Sequence, residues 1–171
     1  MIYPNFEEMD QSEKDKKDLL NFAKNPKGFV VLSGKNGSGK SYAAEAIYNM
    51  NTPFRLPQYD SDLAIFITQA EMNQEWIENV QEQIVLSKKY KETKLLIIDD
   101  LGTRKPTEAF MDFIYTIIDF RWRNRNELGT VITTNLNTDS ALPMFGDAFV
   151  SRIASGITKR WDFKDRRMNM F

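Results

Sequence analysis

Apolar residues fall along the chain in short continuous runs, and the segments between these runs show apolar residues at helical spacing. An apolar run without polar alternation is typical of a strand buried on both faces of a sheet. Strands that alternate with helices imply an α/β fold built on a parallel sheet. The predicted strands lie at 29–33, 62–68, 94–99, 129–135 and 157–162.

The intervening segments predict the helices that flank this sheet. In one segment Met72, Trp76, Ile77, Val80 and Ile84 recur at helical spacing, which predicts one helix as far as about Ser87. The predicted helices lie around Leu19, at 41–50, at 72–87, from Pro106 onward, near 140–145 and near 148–155. We expect a polar lead-in at 1–28 and a single domain at 29–171.

Composition limits the chemistry more than it defines the partner. Of 171 residues, 42% are hydrophobic and 27% charged, with 23 lysines and arginines against 24 aspartates and glutamates, so net charge predicts no partner. The chain has no cysteine and no histidine, which excludes disulfides, thiolate nucleophiles and imidazole chemistry. Its first residues are too polar for a signal peptide and no apolar run approaches membrane-spanning length, so a cytoplasmic protein is expected.

The segment GKNGSGKS at 34–41 fits the phosphate-loop pattern G-x-x-x-x-G-K-[ST]. Glycines let backbone N–H groups turn around phosphates, Lys40 supplies a positive charge to the β and γ phosphates, and the Ser41 hydroxyl suits Mg²⁺. A chance match in a glycine-rich turn is the alternative, but an apolar strand precedes the loop and a helix follows it. The predicted ATP-binding residues are Gly34, Lys35, Asn36, Gly37, Ser38, Gly39, Lys40, Ser41 and Tyr42.

Two adjacent carboxylates end the apolar run LLIID. In P-loop enzymes a second carboxylate cluster ends a neighbouring strand, so Asp99 is predicted to hold Mg²⁺ opposite Ser41. Asp100 is predicted to be the base that orients the attacking water. A solvated turn or a helix cap is the alternative. Glutamate is usual at the second position, and the shorter aspartate predicts slow or partner-dependent hydrolysis.

Five segments in this order resemble the P-loop AAA+ core of bacterial and phage DnaC/DnaI-type helicase loaders, and the IstB-type transposition ATPases share the pattern. The resemblance covers roughly residues 20–167 and implies strand order 5-1-4-3-2. The sequence departs from the family pattern in two ways: only about 28 residues precede the first strand, where full-length loaders carry a large N-terminal domain, and no helical lid domain is expected after the last strand. The resemblance also implies an ATPase that oligomerises as a ring or filament with ATP. The segments are GKNGSGKS, LLIIDDLG, IIDFRWRN, VITTNL and FVSRIASG.

The resemblance assigns two further residues to the site. Asn135, at the end of the fourth predicted strand, matches the sensor-1 position that reaches the γ-phosphate or its water. Arg152 matches the arginine finger, which stabilises charge on the γ-phosphate in a neighbouring subunit. The alternatives are a turn for Asn135 and a surface salt bridge for Arg152. By fold analogy, residues 3–10 are expected to supply adenine contacts.

Two groups of cations interleaved with tryptophan suggest contact with single-stranded DNA, through phosphate attraction and base stacking. The bland alternative is that the cations complement helix ends and the tryptophans belong to the core. The first group is Arg121, Trp122, Arg123 and Arg125, and the second is Lys159, Arg160, Trp161, Lys164, Arg166 and Arg167.

Three functions stay open at this point. The first is a slow or partner-stimulated ATPase of DNA replication, a helicase loader or primosome component of phage or mobile-element type, with a replicative helicase and single-stranded DNA as partners. The second is an IstB-like ATPase that stimulates a transposase on duplex DNA. The third is a small-molecule phosphotransferase, against which Asp100, Asn135 and Arg152 argue.

Overall fold

The computed structural model describes residues 5–52 and 63–162. Its five strands form one parallel sheet in the order β2-β3-β4-β1-β5, which is the predicted order 5-1-4-3-2 read from the opposite edge. The α/β fold class and the strand order are therefore confirmed. The strands are β1 (Gly28–Gly34), β2 (Ala64–Thr68), β3 (Leu95–Leu101), β4 (Gly129–Thr134) and β5 (Ile157–Trp161).

Helices cover both faces of the sheet because successive strand residues point to opposite sides. Val30 and Leu32 of β1 pack with α1 and α2, whereas Phe29 and Val31 face the core shared with α3, α4, α5 and α7. The helices are α1 (Glu13–Lys24), α2 (Lys40–Asn51), α3 (Gln69–Glu78), α4 (Gln83–Glu92), α5 (Glu108–Arg123), α6 (Thr138–Phe145) and α7 (Asp147–Ile153). No helix among the described residues is long and apolar enough to cross a membrane.

The single helix predicted at 72–87 is wrong, because the chain breaks at Asn79 into α3, a 3-10 turn at Val80–Glu82 and α4. The Asn79 side-chain amide donates to the carbonyl of Glu75 at 2.8 Å and its backbone N–H donates there too, which ends α3. Ile84, which helical spacing placed with Met72, is 88% exposed.

The helix predicted around Leu19 forms as α1, with Ser12 as its N-cap. Leu19 and Met9 are buried in the same cluster as Val30 of β1, so this segment shares the core of the sheet. At the outer edge of the sheet, Lys159 of β5 forms ion pairs with Asp15 and Asp18 of α1 at 2.9 and 2.6 Å. The lead-in boundary at residue 28 and the missing lid stay predictions.

Candidate functional site

The predicted phosphate loop connects the end of β1 to the start of α2. Gly34 has φ of +136°, and a Cβ on it would lie 1.9 Å from the carbonyl oxygen of Trp161. Gly39 has φ of +92°, and a Cβ there would lie 2.6 Å from the Gln11 side-chain nitrogen. Gly34 therefore requires glycine for conformation and for space, and Gly39 requires it for conformation. Because the N-cap Gly39 has no side chain, the N–H groups of the first turn of α2 are left to a ligand.

Lys40 is almost fully buried, and its ammonium lies within the loop itself. It donates to the carbonyls of Gly34 at 3.0 Å and Lys35 at 2.8 Å. The Ser38 side chain is fully buried and its hydroxyl has no hydrogen-bond partner among the described residues. A buried polar atom without a partner in a ring of backbone amides is the arrangement expected of a loop that encloses phosphate oxygens.

Gln11 is a contact of the loop that sequence reasoning missed. Its buried side-chain amide donates to the carbonyl of Ser38 at 3.0 Å, across the space that the absent side chain of Gly39 leaves. Nearby, Tyr42 donates to the Glu8 carboxylate at 3.0 Å. Desolvation, together with the Glu8 carboxylate, raises the pKa of Tyr42. The lead-in thus lies against the predicted nucleotide site, but residues 3 and 4 fall outside the described residues.

The two aspartates at the end of β3 have different environments. Asp99 is buried, and it accepts a hydrogen bond from the hydroxyl of Thr133 on β4. Asp100 is exposed, and its backbone N–H donates to the same hydroxyl at 2.9 Å. Sequence reasoning missed Thr133; the available signal was a hydroxyl in a strand predicted to be buried, where a polar side chain needs a partner.

Asp100 has φ of +55°, the left-handed region, which no other non-glycine residue of the described chain adopts. Aspartate and asparagine tolerate this conformation better than longer or branched side chains, because their short polar side chains can bond the local backbone. The backbone conformation therefore gives a physical reason for aspartate where glutamate was expected.

Asn135 follows β4 and is exposed, beside the ends of β1 and β3. The preceding Thr134 is buried; its hydroxyl donates to the carbonyl of Leu101 at 2.6 Å and accepts from the N–H of Leu136 at 3.1 Å. These bonds hold the two strand ends together, so the Asn135 side chain starts from a rigid backbone. The sheet thus brings the phosphate loop, the aspartates and Asn135 together at the edge formed by the carboxyl ends of its strands, where α/β folds bind ligands.

The residues at this edge fit Mg²⁺ with a nucleotide. Mg²⁺ takes hard oxygen ligands, commonly one or two carboxylates together with substrate phosphates. Ser41 offers an exposed hydroxyl in the first turn of α2, and Asp99 offers a carboxylate that Thr133 orients. Their roles as metal ligands stay predictions.

Arg152 lies apart from this edge, on α7, against its own subunit's α5. Its guanidinium contacts one carboxylate oxygen of Asp119 through Nε at 2.9 Å and Nη2 at 2.8 Å, and donates to the carbonyl of Ala148 at 2.9 Å. The salt bridge considered as the alternative for Arg152 therefore exists. The arginine-finger role stays a prediction, and Asp119 was not foreseen because the pairing joins residues far apart in the chain.

The prediction that Arg121 contributes to a DNA-binding surface is wrong, because Arg121 is fully buried. Its guanidinium donates to the Thr130 hydroxyl, and to the carbonyls of Tyr90, Lys91, Thr93 and Gly129. The acceptors near the end of α4 are carbonyls that the helix leaves unpaired, and a cation there complements the helix dipole. Burial lowers the pKa of Arg121 to about 9.

The second basic group also has fewer residues available for DNA than predicted. Trp161 is buried and donates to the Asp15 carboxylate at 2.9 Å, so its ring is not available for base stacking. Lys159 is paired with Asp15 and Asp18, and Arg160 is exposed beside Asp162. Lys164, Arg166 and Arg167 lie outside the described residues.

No protein-family model and no curated protein sequence matches the chain. Solved structures match it by shape. The replication initiator DnaA bound to AMPPCP and single-stranded DNA gives a TM-score of 0.75 at 17% identity, over 94% of this chain and 50% of the DnaA chain. DnaI gives 0.69 at 18%, over 95% and 90% of the two chains, and the DnaC helicase loader gives 0.69 at 19%, over 94% and 97%.

The chain therefore spans half the length of that DnaA chain and nearly all of the DnaI and DnaC chains. It has a DnaC/DnaI-like AAA+ fold, and the predicted resemblance is confirmed at the level of the fold.

Proposed function

We propose that the protein is an AAA+ ATPase of DNA replication that binds and hydrolyses ATP with Mg²⁺ and acts as a helicase loader or primosome component. One observation carries the proposal: a phosphate loop with buried Lys40, and Asp99 with Asp100 two strands away, lie at one sheet edge. The fold is shared with DnaA, DnaI and DnaC, one of which was solved with an ATP analogue and single-stranded DNA.

Each residue has a role in this reaction. The loop amides and Lys40 bind the phosphates, and Lys40 exchanges its loop carbonyls for phosphate oxygens when ATP enters. Ser41 and Asp99 hold Mg²⁺, which neutralises charge on the phosphates when bound. Asp100 accepts a proton as water attacks the γ-phosphorus, the bond to the β-phosphate oxygen breaks, and ADP and phosphate leave. Asn135 orients the water, and Arg152 of a neighbouring subunit stabilises the γ-phosphate.

We propose partners on the same basis. ATP promotes self-association into a ring or filament, because Arg152 lies away from its own subunit's phosphate loop and can complete only a neighbour's site. The assembly contacts single-stranded DNA and a replicative helicase in the cytoplasm. DNA contact rests on Arg123, Arg125 and Arg160, which are exposed, and not on Arg121 or Trp161.

Nucleotide binding and turnover test the enzymatic part. Lys40→Ala is expected to weaken ATP binding at least tenfold, with Lys24→Ala, an exposed lysine in the last turn of α1, as the matched control. Asp100→Asn is expected to keep ATP binding and to lower turnover by about 10². Turnover unchanged in Asp100→Asn contradicts the base assignment, and ATP binding unchanged in Lys40→Ala contradicts the nucleotide site.

Tests with DNA and with a helicase distinguish the replication hypothesis from the transposition hypothesis. Single-stranded DNA is expected to stimulate turnover more than duplex DNA, in a salt-dependent manner. Stronger stimulation by duplex DNA favours the IstB-like alternative. A pull-down with the host replicative helicase, with and without ATP, is expected to retain the wild type, and binding that is lost in every condition contradicts the loader role.

A further inference from the structure

Three side chains of α5 surround the guanidinium of Arg152, and we name them the Arg152 pocket: Tyr115, Asp119 and Trp122. The guanidinium carbon lies 5.1 Å from the centre of the Tyr115 ring and 5.4 Å from that of Trp122. Asp119 accepts two of its N–H groups on one carboxylate oxygen. Only 21% of the Arg152 side chain is exposed, so the cation is held by charge and by two aromatic faces.

This arrangement conflicts with a role in a neighbouring subunit. A guanidinium that stabilises a γ-phosphate needs its N–H groups and its positive charge free for the phosphate oxygens. Here Asp119 offsets part of the charge and occupies two donors, while the carbonyl of Ala148 accepts a third. Arg152 must therefore leave Asp119 before it can act on a neighbour's nucleotide.

Two other cations, which remain in place when Arg152 leaves, lower the cost of its release. The other carboxylate oxygen of Asp119 accepts from Arg123 at 2.9 Å, and Arg125 stacks over Trp122 at 4.5 Å. Arg123 is four residues after Asp119 on the same helix, so its pairing persists when α7 moves. When Arg152 departs, Asp119 keeps an ion pair and Trp122 keeps a cation on its ring. Release therefore avoids the main penalty of breaking a covered ion pair, an uncompensated charge.

We propose that Asp119 is a positioning residue: its ion pair holds Arg152 within its own subunit and is released when a neighbouring subunit presents a bound nucleotide. The inference rests on the proposed function, because it assigns a control to the arginine of that ATPase site. In an isolated subunit, Arg152 is then paired with Asp119. On assembly, the nucleotide of a neighbouring subunit competes with the Arg152 pocket for the guanidinium.

The first test follows turnover against protein concentration. Asp119→Asn removes the charge and keeps the shape of the side chain. We expect the protein concentration of half-maximal turnover to fall about fivefold, with the maximal turnover and the ATP affinity unchanged. Asp119→Glu, which restores the charge, is expected to behave as wild type. The matched control is Asp112→Asn, an exposed carboxylate on the same helix.

The outcomes decide whether Asp119 acts by holding Arg152 or in another way. A fall in maximal turnover, or no change in half-maximal concentration, overturns the inference. Asp119→Asn combined with Arg152→Ala is expected to match Arg152→Ala alone, and additive effects would overturn a role through Arg152. Should Asp119→Asn fail to fold, Tyr115→Leu, which removes one ring and no charge, is expected to shift the half-maximal concentration in the same direction.

The second test needs no ATP. Phenylglyoxal modifies accessible guanidiniums, and peptide mass spectrometry follows Arg152 separately from the exposed Arg160. In dilute protein we expect Asp119→Asn to be modified severalfold faster at Arg152 and equally fast at Arg160, with Asp112→Asn as control. An unchanged rate at Arg152 overturns the inference. Absence of turnover in wild type at every concentration overturns the proposed ATPase instead, so the two failures are distinguishable.

Discussion

The hydroxyl of Thr133 donates a hydrogen bond to the carboxylate of Asp99 and accepts one from the backbone N–H of Asp100 at 2.9 Å. One side chain on β4 thus orients the predicted metal ligand and fixes the backbone of the predicted base. Both carboxylates therefore depend on one residue of the neighbouring strand.

Thr133→Val is expected to raise the Mg²⁺ concentration that nucleotide binding requires. Valine has the same shape but no hydroxyl, so Asp99 loses its orienting donor and the N–H of Asp100 its acceptor. Loss of such outer contacts commonly reduces metal affinity by about tenfold or more. A titration of Mg²⁺ against binding of a fluorescent ATP analogue measures this. Thr133→Ser, which keeps the hydroxyl, is the control, and equal titrations for valine and threonine would exclude the role.

Gln11→Ala is expected to weaken ATP binding about fivefold, the effect of one hydrogen bond, because the carbonyl of Ser38 loses its donor and the phosphate loop its support. The melting temperature is expected to change little, since Gln11 contributes little apolar area. Gln81→Ala, on the exposed turn between α3 and α4, is the control. ATP affinities that are equal in both variants contradict a support role for Gln11.

Arg121→Lys is expected to lower the free energy of unfolding by about 3 kcal/mol, because one ammonium cannot satisfy the carbonyls that the guanidinium reaches. Urea unfolding measures the loss. Arg125→Lys, at an exposed position on the adjoining turn, is expected to cost less than about 1 kcal/mol. Equal losses in the two variants would mean that the buried guanidinium contributes no more than a surface one.

The contact between α1 and β5 is expected to make stability depend on pH in acid. Partial burial raises the pKa of Asp15, but hydrogen bonds from Lys159 and Trp161 outweigh it, so the pKa lies below its usual value of 3.8. The stabilising effect of the carboxylate is therefore complete above 3.8 and is lost as the pH falls through the lower folded value. The advantage of wild type over Asp15→Asn in urea should shrink accordingly.

Lys159 sets the alkaline limit of the same contact. Hydrogen bonds from its ammonium to Asp18 and Asp15 raise the pKa of Lys159 above 10.5, so its contribution is complete below 10.5 and is lost as the pH rises through the folded value. Glu127→Gln, at an exposed carboxylate, is the control for both limits. A constant difference between wild type and Asp15→Asn at every pH would contradict this assignment.

Local patterns predicted much of this fold because the sheet is buried on both faces. For that reason the continuous apolar runs predict strands. The phosphate loop could be predicted because the spacing of its glycines and lysine is a local motif. The helix at 72–87 failed because an exposed Ile84 satisfies helical spacing as well as a buried one, and the cap by Asn79 overrides the period.

Pairings between distant residues could not be predicted. Arg121 and Trp161 have the composition of a DNA-binding surface, and only the packing of α4 and α1 against them makes them internal. Gln11 and Asp119 carry no motif, because their partners Ser38 and Arg152 lie 27 and 33 residues away. Their meaning follows from which elements the sheet order brings together.

The close approach of Trp161 to Gly34 has a consequence for protein synthesis. A chain still on the ribosome carries the complete phosphate-loop motif long before β5 has been translated. Yet β1 gains its outer neighbour, and Gly34 its backbone contact, only when Trp161 emerges and docks. We expect nascent and prematurely terminated chains to bind ATP poorly, so that unfinished copies are kept out of assemblies that depend on nucleotide.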